Sequence, residues 1–550
     1  MRPVLAVLAA AAALFCWNVG GYDLWAPDEP YFAEGAREML VDGHWWVPHV
    51  NGTITTDKPP LFFWLIAVAS APLGEVSSWT ARLPSILAGL GTVALIVWLA
   101  SRDRTLRSGA IAGGVFALTY LPWDKARTAQ IDGVLCFLIT GALAAFAAWR
   151  GSVLAGSRAG LIFWALAGAA VLAKGPVGVL VPLGIVLATL AWDRDLRSLR
   201  EFAPIAGPLA FFAIVAAWIA GEAAFGEPGY SVVSAARVHV LDRALEGMHH
   251  RQPFWYYARV LPVHTFPWAF VLPGAVLLAW RRRALPEERL ALLWAVFPVL
   301  FFSIWTEKRD LYILPAYPAF AILLGRFFED QLDPGVAGPG VGRRWLTWGL
   351  WATVALLAIV GAAAVISPQR LATAARFAGR AVGWTLLAGS AVAAFALTRR
   401  RGRLAAGAIG TGVGAAYLAA AVWLFPALNG VKSVRPFAEQ VAAHTAAARA
   451  AGERVVAYRL RNVPEAMAFY GGGLYTVEVG SSEALAEAVR CGAFVASDDA
   501  RFASIPEDLR ERAATVLSGI ELTRWKLRLD RFAPEPGELC ARPNSAILPQ

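Results

Sequence analysis

Long apolar runs fill most of this chain, and short polar turns separate them. A helix needs about 20 apolar residues to cross a bilayer. Runs of this kind begin near residues 4, 82, 108, 131, 160, 176, 203, 262, 288, 310, 345, 381 and 404. The pattern therefore predicts a polytopic α-helical membrane protein with about thirteen spans. Residues 1–20 are expected to be a retained first helix, with a cleaved signal peptide as the alternative.

The pattern of the chain changes near residue 427. Short β-type runs at 454–458, 475–479 and 493–496 alternate from there with helical runs such as 482–490. This alternation is typical of a small α/β domain. We therefore predict a transmembrane domain over 1–426, with long outer loops at 22–81 and 221–261, and an α/β domain over 427–550.

Composition agrees with a membrane protein. The 550 residues are 57% apolar, and the mean hydropathy is +0.52. The net charge of +10 comes mainly from arginines in alternate turns, which marks those turns as cytoplasmic. No basic stripe interleaved with aromatic residues is present, so nucleic acid is not expected as a partner.

Orientation follows from the arginine-rich turns. They place the N-terminus in the cytoplasm, and the two long loops and the C-terminal domain in the periplasm of a bacterial inner membrane. Cys491 and Cys540 both fall in the C-terminal region. If that region is exported they are candidates for a disulfide, whereas Cys16 and Cys136 lie in apolar runs and are expected to be core residues.

The first outer loop carries acids and a lysine. Asp28 and Glu29 lie between two prolines, which stiffen the turn and favour a site over ordinary solvated acids. Asp57 and Lys58 precede the apolar run 61–70, which is too short to span and is predicted to lie in the membrane interface. Lys58 would then meet a lipid phosphate, the alternative being an ordinary snorkelling lysine.

Two further charges lie at the outer ends of predicted spans. Asp132 begins one span and Lys174 ends another. Charges at such depth are costly unless they are paired or functional. Lys174 is expected to bind either Asp132 or a phosphate.

The remaining candidates follow the second long loop. His250 and Arg251 precede an aromatic run, and Arg309 and Tyr312 belong to a cluster at 307–312. Arginine and histidine suit phosphate neutralisation. No zinc-ligand spacing is present, so no metal or other cofactor is predicted, and a divalent metal at the histidines is the alternative.

Six stretches in this order resemble the bacterial lipid A aminoarabinose transferase branch of the protein O-mannosyltransferase superfamily. They are DEPYFAEGAREML from Asp28, TDKPPL from Thr56, QIDG from Gln130, LAKGP from Leu172, RQPFWYY from Arg251 and YILP from Tyr312. The resemblance runs from the first span to about residue 325. Tyr31 and Phe32 stand where that branch has Arg-Tyr, and Asp57 stands where it tends to have Glu.

The resemblance implies the GT-C glycosyltransferase fold and an inverting transfer of a sugar from a polyprenyl-phosphate donor. It implies that Asp28 is the leading catalytic acid or base, with Glu29 beside it and Asp132 as a second acid. Lys58 would hold the carrier phosphate, and Tyr312 and Arg251 are weaker members of the same pocket. A cation near the phosphate helps its departure and a carboxylate deprotonates the acceptor, so these residue types fit the chemistry.

The acceptor and the sugar stay open at this point. Lipid A, another glycan and a protein are the candidate acceptors, and membrane lipids surround the site. A transporter or flippase of a lipid-linked substrate is the alternative function, since it would also use charges within the membrane. It would place them near the midplane of two related halves, whereas here they gather on one predicted face.

Overall fold

The apolar runs form helices. The computed structural model describes residues 1–55, 58–226, 251–332, 340–366, 373–523 and 525–535. The helices up to residue 225 are α1 (Arg2–Cys16), α2 (Asp28–Val41), α3 (Leu61–Ser70), α4 (Ser78–Asp103), α5 (Leu106–Leu118), α6 (Tyr120–Ala126), α7 (Ile131–Arg150), α8 (Gly156–Lys174), α9 (Val177–Trp192) and α10 (Ala206–Phe225). Those that follow are α11 (Tyr256–His264), α12 (Leu272–Arg281), α13 (Pro286–Ile304), α14 (Tyr317–Leu332), α15 (Val341–Ile366), α16 (Thr373–Thr398), α17 (Gly402–Ala419) and α18 (Phe425–Lys432).

Eight helical stretches in the described part of the chain are long and apolar enough to cross a membrane. They are Ser78–Asp103, Ile131–Arg150, Gly156–Lys174, Ala206–Phe225, Asp310–Leu332, Val341–Ile366, Ala375–Thr398 and Gly402–Lys432. Helices α1, α3, α5 and α9 are apolar but shorter. The polytopic helical architecture is confirmed, and the count of thirteen spans is not.

The span predicted near residue 262 is divided into α11 and α12. A proline in the first turn begins α12, where the missing N–H costs nothing because the first N–H groups of a helix have no partner inside it. Prolines in the preceding segment interrupt the ladder of backbone hydrogen bonds. The apolar run alone did not predict this break.

The end of α1 is fixed by a buried arginine. Arg127 is 1% exposed, and its guanidinium donates hydrogen bonds to the carbonyls of Leu14 at 2.7 Å, Phe15 at 3.2 Å and Trp17 at 2.7 Å. The last carbonyls of a helix have no partner within it. Arg127 therefore satisfies these carbonyls where no water is available.

Ion pairs join several of the arginine-rich turns. Arg104 contacts Glu288 at 3.2 Å and Asp330 at 3.0 Å, and Arg150 contacts Asp193 at 3.0 Å. These turns thus lie at one end of the helices. Asp132 is 18 residues before Arg150 on α7, a rise of about 27 Å, so it lies at the opposite end. Which end faces the cytoplasm stays a prediction.

Contacts divide the chain into two compact units. The first contains Met1–Val19, Thr56–Leu65 and Arg82–Phe425, and the second contains Gly20–Thr55, Ile66–Ala81 and Pro426–Gln550. Most of the predicted outer loop 22–81 therefore clusters with the C-terminal segment. The sequence-based limits at 426 and 427 stay a prediction.

The second unit is built around a five-stranded sheet. Its strands, preceded by the short hairpin β1 (His49–Val50) and β2 (Thr53–Ile54), are β3 (Val455–Tyr458), β4 (Thr476–Val479), β5 (Ala493–Asp498), β6 (Ala513–Leu522) and β7 (Trp525–Phe532). The helices of this part are α19 (Arg435–Ala450), α20 (Pro464–Tyr470), α21 (Ser482–Ala488), α22 (Asp499–Ala503) and α23 (Glu507–Arg510). The order is β4-β3-β5-β7-β6, with β3, β4 and β5 parallel and the last two pairings antiparallel.

Both faces of this sheet are covered. Val455 and Ala457 pack into one hydrophobic cluster, while Val456 and Tyr458 pack into a second. Neighbouring residues of a strand point to opposite faces, so β3 is apolar throughout because both its faces are buried. The predicted small α/β domain is confirmed, and Cys491 is disulfide-bonded. Cys540 lies outside the described residues.

Candidate functional site

An ion pair joins the ends of two spans in the first unit. Asp132 lies in the first turn of α7, and Lys174 is the last residue of α8. The ammonium of Lys174 donates a hydrogen bond to the Asp132 carboxylate. An acid at the start of a helix and a base at its end are both favoured by the helix dipole. The helical ends thus place both charges where each is stabilised.

The lysine also contacts an aromatic ring. The Lys174 Nζ lies 4.6 Å from the centre of the Tyr312 ring. The Asp132 side chain is 4% exposed and that of Lys174 is 16% exposed. The ammonium is therefore the more accessible partner, held between a carboxylate and a ring. This arrangement can present a cation to an anionic ligand while the buried acid keeps it in place.

Two more predicted residues, Arg309 and Arg251, are joined to the segment of Tyr312 in the same unit. Tyr312 donates its backbone N–H to the Arg309 carbonyl at 3.1 Å, and the Tyr257 hydroxyl donates to that same carbonyl at 3.2 Å. Arg251 forms a β-bridge with Glu307. The structure therefore brings Lys174 into contact with both Asp132 and Tyr312, and it pairs Arg251 with the segment that carries Arg309 and Tyr312.

A buried lysine connects the segment of Tyr312 to the residues that follow Arg251. Lys308 is 4% exposed, and its ammonium donates hydrogen bonds to the carbonyls of Gln252, at 2.9 Å, and Trp305. It thereby joins the residues after Arg251 to those before Tyr312. The sequence placed Lys308 in the charged cluster at 307–312 but gave no sign of this structural role.

A histidine that the sequence analysis did not single out lies in the same unit. His264 is the last residue of α11, and its Nε2 lies 3.5 Å from the Asp310 carboxylate. Its ring centre is 6.2 Å from that of Tyr120. The only sequence signal was a histidine at the end of a short apolar helix, which is too common to predict a site.

In the second unit, Asp28 begins α2 and is half-buried. Glu29 is 5% exposed, and its carboxylate accepts the backbone N–H of Trp25 at 3.0 Å. The indole N–H of Trp25 donates to the Asn429 amide oxygen at 3.0 Å, and Lys432 lies 4.5 Å from a Trp25 ring centre. Glu29 therefore stabilises the turn that precedes Asp28.

A buried acidic pair follows on the same helix. Glu34 is 0% exposed and accepts two hydrogen bonds from Arg37, both at 2.8 Å. Glu38 is 1% exposed, and its carboxyl accepts the Gly52 N–H at 3.1 Å and is hydrogen-bonded to Glu34. Burial, with the neighbouring Glu34 carboxylate, raises the pKa of Glu38 to about 8. Glu38 is therefore protonated near neutral pH.

Arg37 extends this network to the sheet. It donates a hydrogen bond to the Tyr475 hydroxyl at 3.0 Å, and that hydroxyl donates to Asp42 at 2.9 Å. Burial raises the pKa of Tyr475, so its hydroxyl stays protonated. The spacing of Glu34, Arg37 and Glu38, three and four residues on a helix, was the signal that the sequence analysis did not use.

Some predicted residues are placed only in part. Lys58 is half-buried just before α3, and that helix has the bounds expected from sequence. Asp57 and His250 lie outside the described residues. The convergence of Asp28, Lys58 and Asp132 on one phosphate stays a prediction.

The described ranges contain no group of three histidine, cysteine or acidic side chains placed to hold a metal ion. His250, to which the metal alternative referred, is not among the described residues. The expectation of no metal, and the alternative of a divalent metal at the histidines, both stay predictions.

A protein-family model described as dolichyl-phosphate-mannose-protein mannosyltransferase matches residues 1–221. An undecaprenyl phosphate-alpha-4-amino-4-deoxy-L-arabinose arabinosyl transferase from Erwinia tasmaniensis is 31% identical over 376 residues, 67% of this chain and 66% of that protein. The protein of the same name from Aeromonas salmonicida is 31% identical over 373 residues, 66% of this chain and 68% of that protein. The matches to these relatives thus span about two thirds of their length.

Solved structures share the fold. ArnT from Cupriavidus metallidurans bound to undecaprenyl phosphate has a TM-score of 0.75 at 20% identity, over 96% of this chain and 97% of that one. The archaeal oligosaccharyltransferase AglB from Archaeoglobus fulgidus has a TM-score of 0.55 at 15% identity, over 90% and 69%. The chain therefore belongs to the family of undecaprenyl phosphate-aminoarabinose arabinosyl transferases, multi-pass membrane glycosyltransferases of the GT-C fold.

Proposed function

We propose that this protein transfers a sugar from a polyprenyl-phosphate donor to an acceptor hydroxyl at the periplasmic face of the inner membrane. Membership of the transferase family supports the donor class. The observation that carries the proposal is the Lys174 ammonium, held by Asp132 and the Tyr312 ring at the end of two spans. A lipid-linked phosphate reaches a membrane protein at that depth.

In the proposed reaction the acceptor oxygen attacks the anomeric carbon while the bond from that carbon to the phosphate oxygen breaks. The acceptor proton passes to a carboxylate, for which Asp28 is the leading candidate. Polyprenyl phosphate leaves with the bonding electrons, and attack from the opposite side inverts the anomeric carbon. Lys174 and Lys58 are proposed to stabilise the charge that develops on the leaving phosphate.

Asp132 is proposed to act through Lys174. With its side chain 4% exposed, it has little access to an acceptor. Its carboxylate holds the ammonium in one position before the donor arrives, which lowers the cost of ordering that side chain on binding. Glu29 is proposed to position Asp28 in the same indirect way, through the Trp25 N–H.

The proposed orientation has the N-terminus in the cytoplasm and the C-terminal α/β domain in the periplasm. The ion-paired arginine turns at one end of the first unit support it, because cytoplasmic turns are rich in arginine. The Asp132–Lys174 pair then faces the periplasm. A cysteine-accessibility assay on spheroplasts, with single cysteines at exposed positions 197 and 439, tests this orientation.

The transfer reaction is tested by reconstituting the full chain with radiolabelled undecaprenyl-phosphate aminoarabinose and lipid A. Free undecaprenyl phosphate and labelled lipid A are the expected products, and Asp28→Asn should abolish both. Asp195→Asn, which alters an acid in the arginine-rich end, is the matched control and should retain activity. Movement of intact donor across the bilayer without release of the carrier phosphate would instead favour the flippase alternative.

Release of the carrier phosphate without labelled lipid A would support a transferase with a different acceptor. Glycan and protein fractions of the source bacterium would then be assayed as acceptors. A lipid and glycan profile of a deletion strain would identify the missing product independently.

A further inference from the structure

A short 3₁₀-helix, Asp310–Ala316, carries Tyr312, whose ring contacts the Lys174 ammonium. Helices of this kind seldom exceed about four residues, because their hydrogen-bond geometry is poorer than that of an α-helix. This one has seven residues, and Pro315 within it lacks an N–H. It therefore depends on contacts with other elements, and those contacts decide where the Tyr312 ring lies.

The far end of the 3₁₀-helix is held by two transmembrane helices. The indole N–H of Trp294, on α13, donates to the Pro315 carbonyl at 2.7 Å. The thiol of Cys136, on α7, donates to the Leu314 carbonyl at 3.6 Å. Both donors are buried, at 1% and 2% exposure, so this end is fixed inside the first unit.

The near end is held by α11. Of the nine described residues of this helix, Tyr257 and His264 are buried. They are seven residues apart, two helical turns, and therefore lie on one face. The Tyr257 hydroxyl donates to the Arg309 carbonyl at 3.2 Å, and the His264 Nε2 lies 3.5 Å from the Asp310 carboxylate. The buried face of α11 thus contacts two successive residues at the start of the 3₁₀-helix.

These two contacts contribute more to position than to burial. The Asp310 side chain is 46% exposed, so water reaches its carboxylate whether or not His264 is beside it. Contacts of half-exposed charges add little to the free energy of unfolding. Tyr312, however, lies only two residues further along the 3₁₀-helix, so a shift of Asp310 moves its ring relative to Lys174.

We propose that Tyr257 and His264 are positioning residues of the transfer reaction, which hold the Tyr312 ring against Lys174 by fixing the start of the 3₁₀-helix. The proposal rests on the proposed transfer function, in which Lys174 stabilises the leaving phosphate. Both residues act through Tyr312 and do not touch the donor. Their loss should therefore lower kcat, where the charge on the phosphate develops, and leave the KM for the donor nearly unchanged.

The test measures kcat and KM of the full chain for the undecaprenyl-phosphate sugar of the transfer assay. Tyr257→Phe keeps the ring and removes the hydroxyl, and should lower kcat roughly 3- to 10-fold. His264→Phe should lower it roughly 2- to 5-fold, because Asp310 is half-exposed. His264→Gln keeps an N–H donor and should restore most of the rate. The KM for the donor should stay within about twofold of wild type in all three variants.

A double-variant cycle separates positioning from a general structural role. In a Tyr312→Leu background the ring that α11 positions is gone. Tyr257→Phe and His264→Phe should then lower kcat by less than about twofold further. Losses as large in this background as in wild type would overturn the proposal, and so would wild-type kcat in both single variants.

Tyr417→Phe is the matched control. The Tyr417 hydroxyl also donates to a backbone carbonyl at 3.2 Å, that of Leu118, and it joins α17 to the end of α5. Its loss should change the thermal unfolding temperature about as much as Tyr257→Phe does, with kcat within about twofold of wild type. An equal fall in kcat in both variants would overturn the proposal. A wild-type chain that releases no undecaprenyl phosphate would instead refute the transfer reaction itself, before any variant is compared.

Discussion

Lys174, the last residue of α8, donates a hydrogen bond to Asp132 in the first turn of α7, 42 residues away in sequence. The sequence left open whether this lysine pairs with Asp132 or with a phosphate. The structure shows the pair with Asp132. In the proposed reaction, a donor phosphate would compete with Asp132 for the same ammonium.

The first prediction concerns this pair. Lys174→Met leaves the Asp132 carboxylate buried without its counterion, at a cost of about 3 kcal/mol in the free energy of unfolding. Sugar transfer should fall by at least about 100-fold, since an interaction with the leaving phosphate of about 3 kcal/mol is lost. Transfer rate and thermal unfolding temperature are measured on the same preparations.

The double variant Asp132→Asn, Lys174→Met separates the two effects. It carries no unpaired charge, so most of the stability should return while transfer stays low. Recovery of both would show that Lys174 has only a structural role. Lys174→Arg is the conservative control and should keep stability and part of the activity.

The second prediction concerns the ring beside the lysine. The Tyr312 ring centre lies 4.6 Å from the Lys174 Nζ, and contacts of this type contribute about 0.5–2 kcal/mol. Tyr312→Leu should therefore lower kcat/KM by roughly 3- to 30-fold. Tyr312→Phe keeps the ring and should stay within about twofold of wild type. If Phe and Leu reduced transfer equally, the hydroxyl and not the ring would be the functional group.

The sequence predicted much of the helical framework and of the C-terminal domain. The bounds of α3 and the strands at 455–458, 476–479 and 493–498 agree with the expected runs, because their apolar patterns are strong and local. Strands β6 and β7 were not predicted. Strand β6 is mostly exposed or half-buried and mixes polar and apolar residues. It is positioned by its pairing with β7, which pairs with β5 on its other side.

The pairing of Asp132 with Lys174 was one of two alternatives expected from sequence, because helix ends can bring such charges together. Asp132 and Lys174 lie at the ends of apolar runs, where a charge stands out from its surroundings. The Glu34, Arg37 and Glu38 network was not assigned, although its residues lie in a stretch that was singled out. It depends on contacts with Gly52, 14 residues from Glu38, and with Tyr475, 438 residues from Arg37, which meet α2 only in the folded chain.

The third prediction concerns pH and Glu38. Its pKa is raised to about 8 from an ordinary value of 4.5, by burial and by the Glu34 carboxylate. Between pH 4.5 and about 8, Glu38 therefore keeps its proton in the folded state but has lost it in the unfolded state. Its contribution to stability is full below pH 4.5 and is lost as pH rises through 8. The groups that face Glu38 are Glu34, Arg37, Tyr475 and the Gly52 N–H.

The measurement is hydrogen exchange of α2 and β4 between pH 5 and 8.5, corrected for the intrinsic exchange rate. Wild-type protection should fall across this range. Glu38→Gln keeps the hydrogen-bonding shape without the charge and should flatten the profile, with higher protection than wild type above pH 8. Glu439→Gln, an exposed acid of the same unit, is the control. A wild-type profile that rises with pH would contradict the assignment of the proton to Glu38.

The fourth prediction concerns Asn51, which closes the edge of the sheet. Its side chain donates to the Thr476 carbonyl at 3.0 Å and accepts the Thr476 N–H at 2.9 Å, as a neighbouring strand would. Its backbone is left-handed, with φ 59, a conformation that asparagine tolerates better than alanine.

Asn51→Ala should therefore destabilise the second unit by about 3 kcal/mol, from the unpaired edge groups and the backbone strain together. Asn51→Gly removes only the hydrogen bonds and should cost roughly 1–2 kcal/mol less than alanine. Asn462 is also left-handed, with φ 62, but is exposed, so Asn462→Ala measures the strain alone. Hydrogen exchange at β4 reads all three variants, and equal protection in Asn51→Ala and Asn462→Ala would show that the edge contacts contribute nothing.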